Sequence, residues 1–344
     1  MDQSTCYHSS YDRIGERNMK KRNKQTLVGI IISIMVLSMS GVYMMDSQNR
    51  LPRKIVLIPK SISPDFEFWQ TVKMGAELAA KEENIVIETR GAMFEKNISE
   101  QKEILEKAIE EEVDIILLAA TNVNALRELV EKARAKGITL LAVDSTVEGV
   151  SHITKVATDN VQGAAVLTSY LAELLESRGE VIMINFVEGA STAKERAEGY
   201  EREISQYKDI IMHPTVYTQG TTADAYEATK NVLKKYPNLK GIVAANQQVT
   251  DAVCEAIEEM GVKGQVRVVG FDSSQTIIYS LERDIIDAII VQKPFNMGYL
   301  AVKNGLQAYR GKKIPEYVDT GYKLINKETL YLTENQKLLY PIIK

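Results

Sequence analysis

The chain has 344 residues, of which 45% are hydrophobic and 26% charged, and its formal net charge is −4. This composition is typical of a globular protein; it excludes a disordered chain and shows no nucleic-acid-binding surface. The length allows two domains with a core in each. The two cysteines and three histidines are scattered, so no disulfide, metal site or cofactor is expected.

An apolar segment near the N-terminus predicts a membrane anchor. Residues 27–45 (LVGIIISIMVLSMSGVYMM) carry no charge and as a helix would reach about 28 Å, close to the thickness of a bilayer core. A signal peptide is the alternative, but the segment is long for one and neither a cleavage site nor a lipid-accepting cysteine follows. The basic cluster in residues 1–26 places the N-terminus in the cytoplasm.

We therefore expect a cytoplasmic segment (1–26), a single-pass transmembrane anchor (27–45), a polar linker (46–53) and an extracytoplasmic remainder. In that remainder short β-branched runs alternate with amphipathic stretches, which predicts an α/β fold with parallel, doubly wound sheets. The pattern restarts near residue 156, so two such units follow one another. The predicted strands are residues 54–58, 85–87, 114–118, 138–143, 181–186, 210–217, 241–245, 266–270, 285–291 and 322–325.

Several predicted strands end in polar side chains. These are Asp144, Asn246, Asp272 and Gln292. Ligands of open α/β sheets bind outside the carboxyl ends of the strands, so these four side chains predict a polar pocket. The alternative for Asp272 is that it only caps the following helix.

The usual enzyme motifs of such sheets are missing from the sequence. The loop after the first strand, PKSISP, has no glycine to admit a pyrophosphate, and neither GxxxxGK[ST] nor GxSxG occurs. The same loop leads into Phe66, Phe68 and Trp69. Polar groups for hydroxyls combined with flat rings for C–H faces favour sugar recognition. Core packing is the alternative role for these aromatic residues. We therefore expect a sugar-binding protein and not an enzyme.

These residues carry a resemblance to a known family. From about residue 54 to 325 the chain resembles the type I periplasmic sugar-binding proteins, the ribose- and xylose-binding group in particular. The matching segments are Phe68-Trp69…Gly75-Ala76, Val143-Asp144, Thr158-Asp159-Asn160…Gly163, Arg196-Ala197-Glu198-Gly199-Tyr200, Asn246, Val269-Gly270-Phe271-Asp272 and Gln292.

The resemblance implies two Rossmann-like lobes joined by three crossover strands, with a sugar enclosed between them. Lobe 1 would comprise residues 54–158 and 293–321, and lobe 2 residues 159–292 and 322–344. The implied ligand-binding residues are Phe68 and Trp69, stacked on the sugar, and Asp144, Arg196, Asn246, Asp272 and Gln292, bound to its hydroxyls.

This sequence also departs from the family pattern in the pocket. Ser145 replaces an arginine, Ala120 replaces a pocket asparagine, and Lys60 stands where a small polar residue is usual. Tyr217 lies near the position of the family's second-lobe aromatic residue. These departures affect which sugar is expected, not the shape of the cleft.

The expected function is extracytoplasmic binding of a monosaccharide, a pentose such as ribose or xylose or a related sugar. When the lobes close on the sugar, a membrane partner is expected to recognise this closed form. The expected partner is an ABC sugar permease or a membrane sensor kinase. A pure co-sensor without a transport role is the main alternative. A repressor or an enzyme on the same fold is a minor alternative. The repressors carry an N-terminal DNA-binding domain, and this chain has a membrane segment in its place.

Overall fold

The computed structural model describes residues 51–340 and, before them, only Ser33 and Met35. The predicted anchor at 27–45 therefore lies outside the described residues apart from those two positions. Within the described part of the chain, no helix has the length and apolarity needed to cross a bilayer.

The first lobe begins with regular alternation of strand and helix. Its elements are β1 (Ile55–Ile58), α1 (Glu67–Glu82), β2 (Ile87–Thr89), α2 (Ile98–Glu110), β3 (Ile115–Leu118), α3 (Arg127–Ala135), β4 (Thr139–Val143) and β5 (Lys155–Ala157). The five strands and β12 (Tyr317–Asp319) form an all-parallel sheet in the order β12-β5-β4-β3-β1-β2.

The second lobe repeats this arrangement. Its elements are α4 (Asn160–Leu174), β6 (Arg178–Val187), α5 (Ser191–Ile204), β7 (Asp209–Met212), β8 (Val216–Thr218), α6 (Thr222–Lys235), β9 (Leu239–Ala244), α7 (Gln247–Glu259), β10 (Arg267–Phe271), α8 (Gln275–Glu282) and β11 (Ala288–Gln292). With β13 (Tyr322–Asn326) the strand order is β13-β11-β10-β9-β6-β7, and β8 also pairs with β6. Only β13 runs antiparallel to its neighbour. The prediction of an α/β fold with two parallel-sheet lobes is confirmed.

The chain passes between the two sheets at three places. β5 leads into α4, β11 leads into α9 (Pro294–Tyr309), and β12 leads into β13. The strands at these crossings are the two outermost on one side of each sheet. A short helix, α10 (Thr333–Leu339), ends the described chain.

Both faces of the lobe 1 sheet are buried, which explains its continuous apolar strands. Along β1, Ile55 and Leu57 belong to the core on the side of α1 and α9. Val56 and Ile58 belong to the core on the side of α2 and α3. Successive side chains of a strand point to opposite faces, so one apolar run fills two cores.

Some predicted boundaries were wrong for local reasons. The helix predicted from Asn122 starts only at Arg127, because the Asn122 side chain accepts hydrogen bonds from the backbone N–H groups of Asn124 and Ala125 and holds a turn. The strand predicted over 210–217 is two short strands, β7 and β8. The strand predicted from 285 starts at Ala288.

Helices α1 and α9 pack so closely that only glycine fits at their contact. A Cβ atom on Gly75 would lie 2.0 Å from the carbonyl oxygen of Phe295, and one on Gly298 would lie 1.9 Å from that of Val72. Since α1 carries Phe68 and Trp69, this contact sets the position of the aromatic side chains relative to the crossing after β11.

Gly298→Ala should destabilise the protein by about 1–3 kcal/mol or more, because a backbone carbonyl must move to accommodate the methyl group. Gly163→Ala in α4 is the matched control. Its added methyl would meet no atom nearer than 3.6 Å, and alanine in a helix is favoured over glycine by roughly 0.5–1 kcal/mol. Urea unfolding of the two variants measures the difference. Equal stabilities would contradict the close-packing account.

Candidate functional site

A cleft lies between the carboxyl ends of the two sheets. All seven predicted ligand-binding residues line it, together with five that were not predicted to bind ligand. The lining residues are Lys60, Phe66, Phe68, Trp69, Glu95, Asp144, Phe186, Thr192, Arg196, Asn246, Asp272 and Gln292. The cavity between these residues has a volume of about 20 Å³, close to the roughly 10–15 Å³ that one water molecule needs. The lobes are therefore closed on each other, and binding of a larger molecule requires them to move apart.

The two lobes contribute one strand-end aspartate each. Asp144 follows β4 with φ of 63°, and Asp272 follows β10 with φ of 73°. In both, the backbone N–H donates to a carbonyl of the adjacent strand, Val156 O at 2.9 Å and Ile290 O at 2.7 Å. The left-handed backbone bends the chain out of the sheet, and aspartate tolerates this conformation better than most residues. Both carboxylates are thereby placed in the cleft.

Asp272 is held by groups of its own lobe. Its carboxylate accepts hydrogen bonds from the backbone N–H of Gln247 (3.1 Å) and from Nε2 of Gln292 (2.6 Å), and lies 4.0 Å from Nη1 of Arg196. Burial raises the pKa of Asp272, and the Arg196 charge and the Gln292 hydrogen bond oppose that rise. Ser274, not Asp272, caps the following helix α8.

Arg196 is held in place by contacts with residues of its own lobe. Its Nε donates to Oδ1 of Asn160 at 2.9 Å, and its Nη1 donates to the carbonyl of Ala245. The guanidinium carbon lies 4.1 Å from the centroid of the Phe271 ring. These contacts hold the planar group at the cleft wall, where its remaining donors suit oxygen acceptors.

Two amides complete the second lobe's contribution. Asn246 caps α7 by accepting the backbone N–H of Val249 at 3.0 Å. Gln292 donates through Nε2 to Asp272, whereas its Oε1 is buried and has no hydrogen-bond partner among the described residues. A buried acceptor without a partner is costly, and a hydroxyl donor would satisfy it.

Lys60 forms a buried ion pair with Asp144. Its Nζ lies 2.8 Å from Asp144 Oδ2 and donates to Oγ1 of Thr192 in the other lobe at 2.9 Å. It also lies 5.8 Å and 5.6 Å from the ring centroids of Trp69 and Phe186. The lysine that departs from the family pattern thus compensates the lobe 1 carboxylate and connects the two lobes.

Aromatic rings line the cleft on both lobes. Phe68 and Trp69 meet edge to face, with centroids 4.9 Å apart and ring planes at 88°. Phe66 lies beside them, 6.4 Å from Trp69. On the second lobe the lining ring is Phe186, whereas Tyr217, expected near this position, does not line the cleft.

Glu95 is a cleft residue that sequence reasoning missed. It lies in the loop after β2, and its Oε1 accepts a hydrogen bond from Nε1 of Trp69 at 3.2 Å. Its Oε2 is buried without a partner among the described residues. Burial raises the pKa of Glu95, and the Lys60 charge and the Trp69 hydrogen bond act against that rise.

The lobes meet through further hydrogen bonds. The side chain of Gln247 in lobe 2 donates to the carbonyl of Asp65 (3.3 Å) and accepts the backbone N–H of Phe68 (3.4 Å). The backbone N–H of Val123 in lobe 1 donates to the carbonyl of Gly189 at 2.9 Å. The cleft is therefore enclosed by contacts between the lobes.

The chain is similar to several sugar-binding proteins. It is 26% identical over 260 residues to the ribose import binding protein of Bacillus subtilis (strain 168), a match that covers 75% of this chain and 82% of that protein. It is 26% identical over 272 residues to the D-allose-binding periplasmic protein of Escherichia coli (strain K12), with 75% and 86% covered.

The chain is also similar to solved structures of solute binding proteins with bound sugars. A solute binding protein from Agrobacterium vitis with bound D-fucose superposes with a TM-score of 0.80 at 27% identity, covering 83% of this chain and 100% of that chain. A solute binding protein from Agrobacterium radiobacter in complex with D-arabinose gives 0.79 at 27% identity, with 83% and 98% covered. The family model described as "Periplasmic binding protein domain" matches residues 55–313, more than half of the chain. With its two parallel-sheet lobes and polar cleft, the chain belongs to the type I sugar-binding periplasmic binding proteins.

Proposed function

We propose that the chain binds a monosaccharide, a pentose such as ribose or xylose or a related sugar, in the cleft between its lobes. The observation that carries this proposal is the composition of the enclosed cleft. Aromatic rings from both lobes stand beside carboxylates, amides and a fixed guanidinium. The buried Oε1 of Gln292 has no partner among the described residues. Sugar hydroxyls supply donors and acceptors, and sugar C–H faces suit the rings.

The proposed reader of the closed form is an ABC sugar permease. Support comes from the similar proteins, which include a ribose import binding protein and a carbohydrate transporter solute binding protein. A ligand shifts open and closed forms only through its different affinity for them. A membrane sensor kinase would use the same closed form, and no observation in residues 51–340 favours it over the permease.

A panel of pentoses, hexoses and polyols should contain a sugar that stabilises the full-length protein. A ligand at a hundredfold its dissociation constant adds about 2.7 kcal/mol when it binds only the folded form. Thermal unfolding measures this. Trp69, the only tryptophan of the chain, lines the cleft, so its fluorescence should change with the same sugar. If no sugar changes either readout, the proposed function is wrong.

Asp272→Asn should weaken binding of that sugar at least tenfold. The change removes the negative charge beside Arg196 and one hydrogen-bond acceptor. A buried polar group left without a partner costs about 1–3 kcal/mol. Asp287→Asn is the matched control. Asp287 likewise accepts a backbone N–H, from Val268, and pairs with an arginine, Arg267, on the same lobe but outside the cleft. Calorimetric titration should show unchanged affinity for the control. Equal losses in both variants would assign Asp272 a purely structural role.

We also propose that residues 27–45 anchor the protein with its N-terminus in the cytoplasm and its binding lobes outside. The support is the uncharged apolar segment and the basic cluster before it.

Protease added to intact protoplasts should therefore degrade the lobes and spare a fragment that ends just past Met45. A mature protein whose sequence begins near residue 46 would show instead that the segment is a cleaved signal peptide.

A further inference from the structure

The cleft holds more buried acids than cations. Its three carboxylates are Glu95, Asp144 and Asp272, and its two cations are Lys60 and Arg196. Both cations lie near an aspartate, Lys60 at 2.8 Å from Asp144 and Arg196 at 4.0 Å from Asp272. Among the described residues no lysine or arginine lies within 4.0 Å of the Glu95 carboxylate. One negative charge in the cleft is therefore uncompensated when all three acids are ionised.

The Glu95 carboxylate is built into the site. The residue is 4% exposed, and Oε1 is oriented by the Trp69 indole N–H. Oε2 is also buried and lacks a partner among the described residues. A Cβ atom on Gly220 of the second lobe would lie 3.9 Å from Oε2, so this oxygen is at the boundary between the lobes. A buried carboxylate in this state favours either a proton or a cation.

The walls of the cleft also suit a positive charge. The Lys60 ammonium already lies within 6 Å of two ring centroids, those of Trp69 and Phe186. Aromatic faces attract cations, and the attraction increases when the cation is removed from water. An amine bound at Oε2 of Glu95 would stand beside Trp69, whose indole holds the other oxygen of that carboxylate.

We propose that the preferred ligand is an aminated monosaccharide whose ammonium group binds Oε2 of Glu95. This inference rests on the proposed sugar-binding function and specifies its substrate class. A neutral sugar can donate a hydroxyl to Oε2 but leaves the negative charge uncompensated, or requires Glu95 to take up a proton. An ammonium forms a charge-assisted hydrogen bond and neutralises the charge in the same contact.

The test compares matched pairs of ligands by calorimetric titration of the full-length protein at neutral pH. The neutral members are D-ribose, D-glucose and D-galactose. Their partners carry one amine in place of one hydroxyl, at each ring position in turn. At least one aminated sugar should bind tenfold or more tightly than its parent. Glu95→Gln should remove that preference, because it should weaken binding of the aminated sugar at least tenfold more than binding of the parent sugar.

Glu188→Gln is the control, because it makes the same chemical change at an exposed residue in the loop between β6 and α5 and should keep the preference. If no aminated sugar binds the unmodified protein more tightly than its parent sugar does, the inference is wrong although the sugar-binding function stands. A preference that survives Glu95→Gln also contradicts it. If neither class of sugar binds, it is the proposed function that fails.

Discussion

The burial of charged groups at the strand ends governs this structure. Asp144 and Asp272 are 3% and 6% exposed, and a carboxylate can remain in such a place only if nearby donors and cations compensate it. Asp144 depends on Lys60, which also donates to the second lobe. Asp272 depends on Gln292, the N-terminus of α7 and Arg196. Two polar groups, one around each aspartate, therefore hold the strand ends, the helix starts and part of the contact between the lobes.

Most of the architecture could be predicted because it follows from local patterns. Continuous apolar runs such as that of β3 mark strands buried on both faces, and their alternation with helices specifies parallel sheets. Asp144, Asn246, Asp272 and Gln292 were found because each lies at or just after the end of such a run. That they line one cleft follows from parallel strands ending at the same edge.

Three other cleft residues, Glu95, Phe186 and Lys60, were not predicted as ligand-binding residues because nothing local distinguishes them. Glu95 lies in a loop and resembles any solvated acid until its contact with Trp69 is seen. Phe186 lies in the apolar strand β6, where the sequence pattern predicts a core side chain. Lys60 was noticed only as a departure, since its partner Asp144 is far away in the chain. Contacts between loops that are far apart in the chain depend on tertiary geometry, for which the sequence carries no periodic signal.

The three crossings between the lobes have a mechanical consequence. They lie together, since Thr158 and Thr320 at two of them are 3.5 Å apart through their hydroxyl oxygens, and the end of the Lys293 side chain at the third lies close to Gly321. Three covalent connections on one side resist sliding and twisting, which leaves rotation about that side as the soft motion. If a ligand were enclosed, a bulkier one would stop this rotation earlier, at a wider angle between the lobes. A partner protein that contacts both lobes would then distinguish ligands of different size by the angle between the lobes, without contacting the ligand.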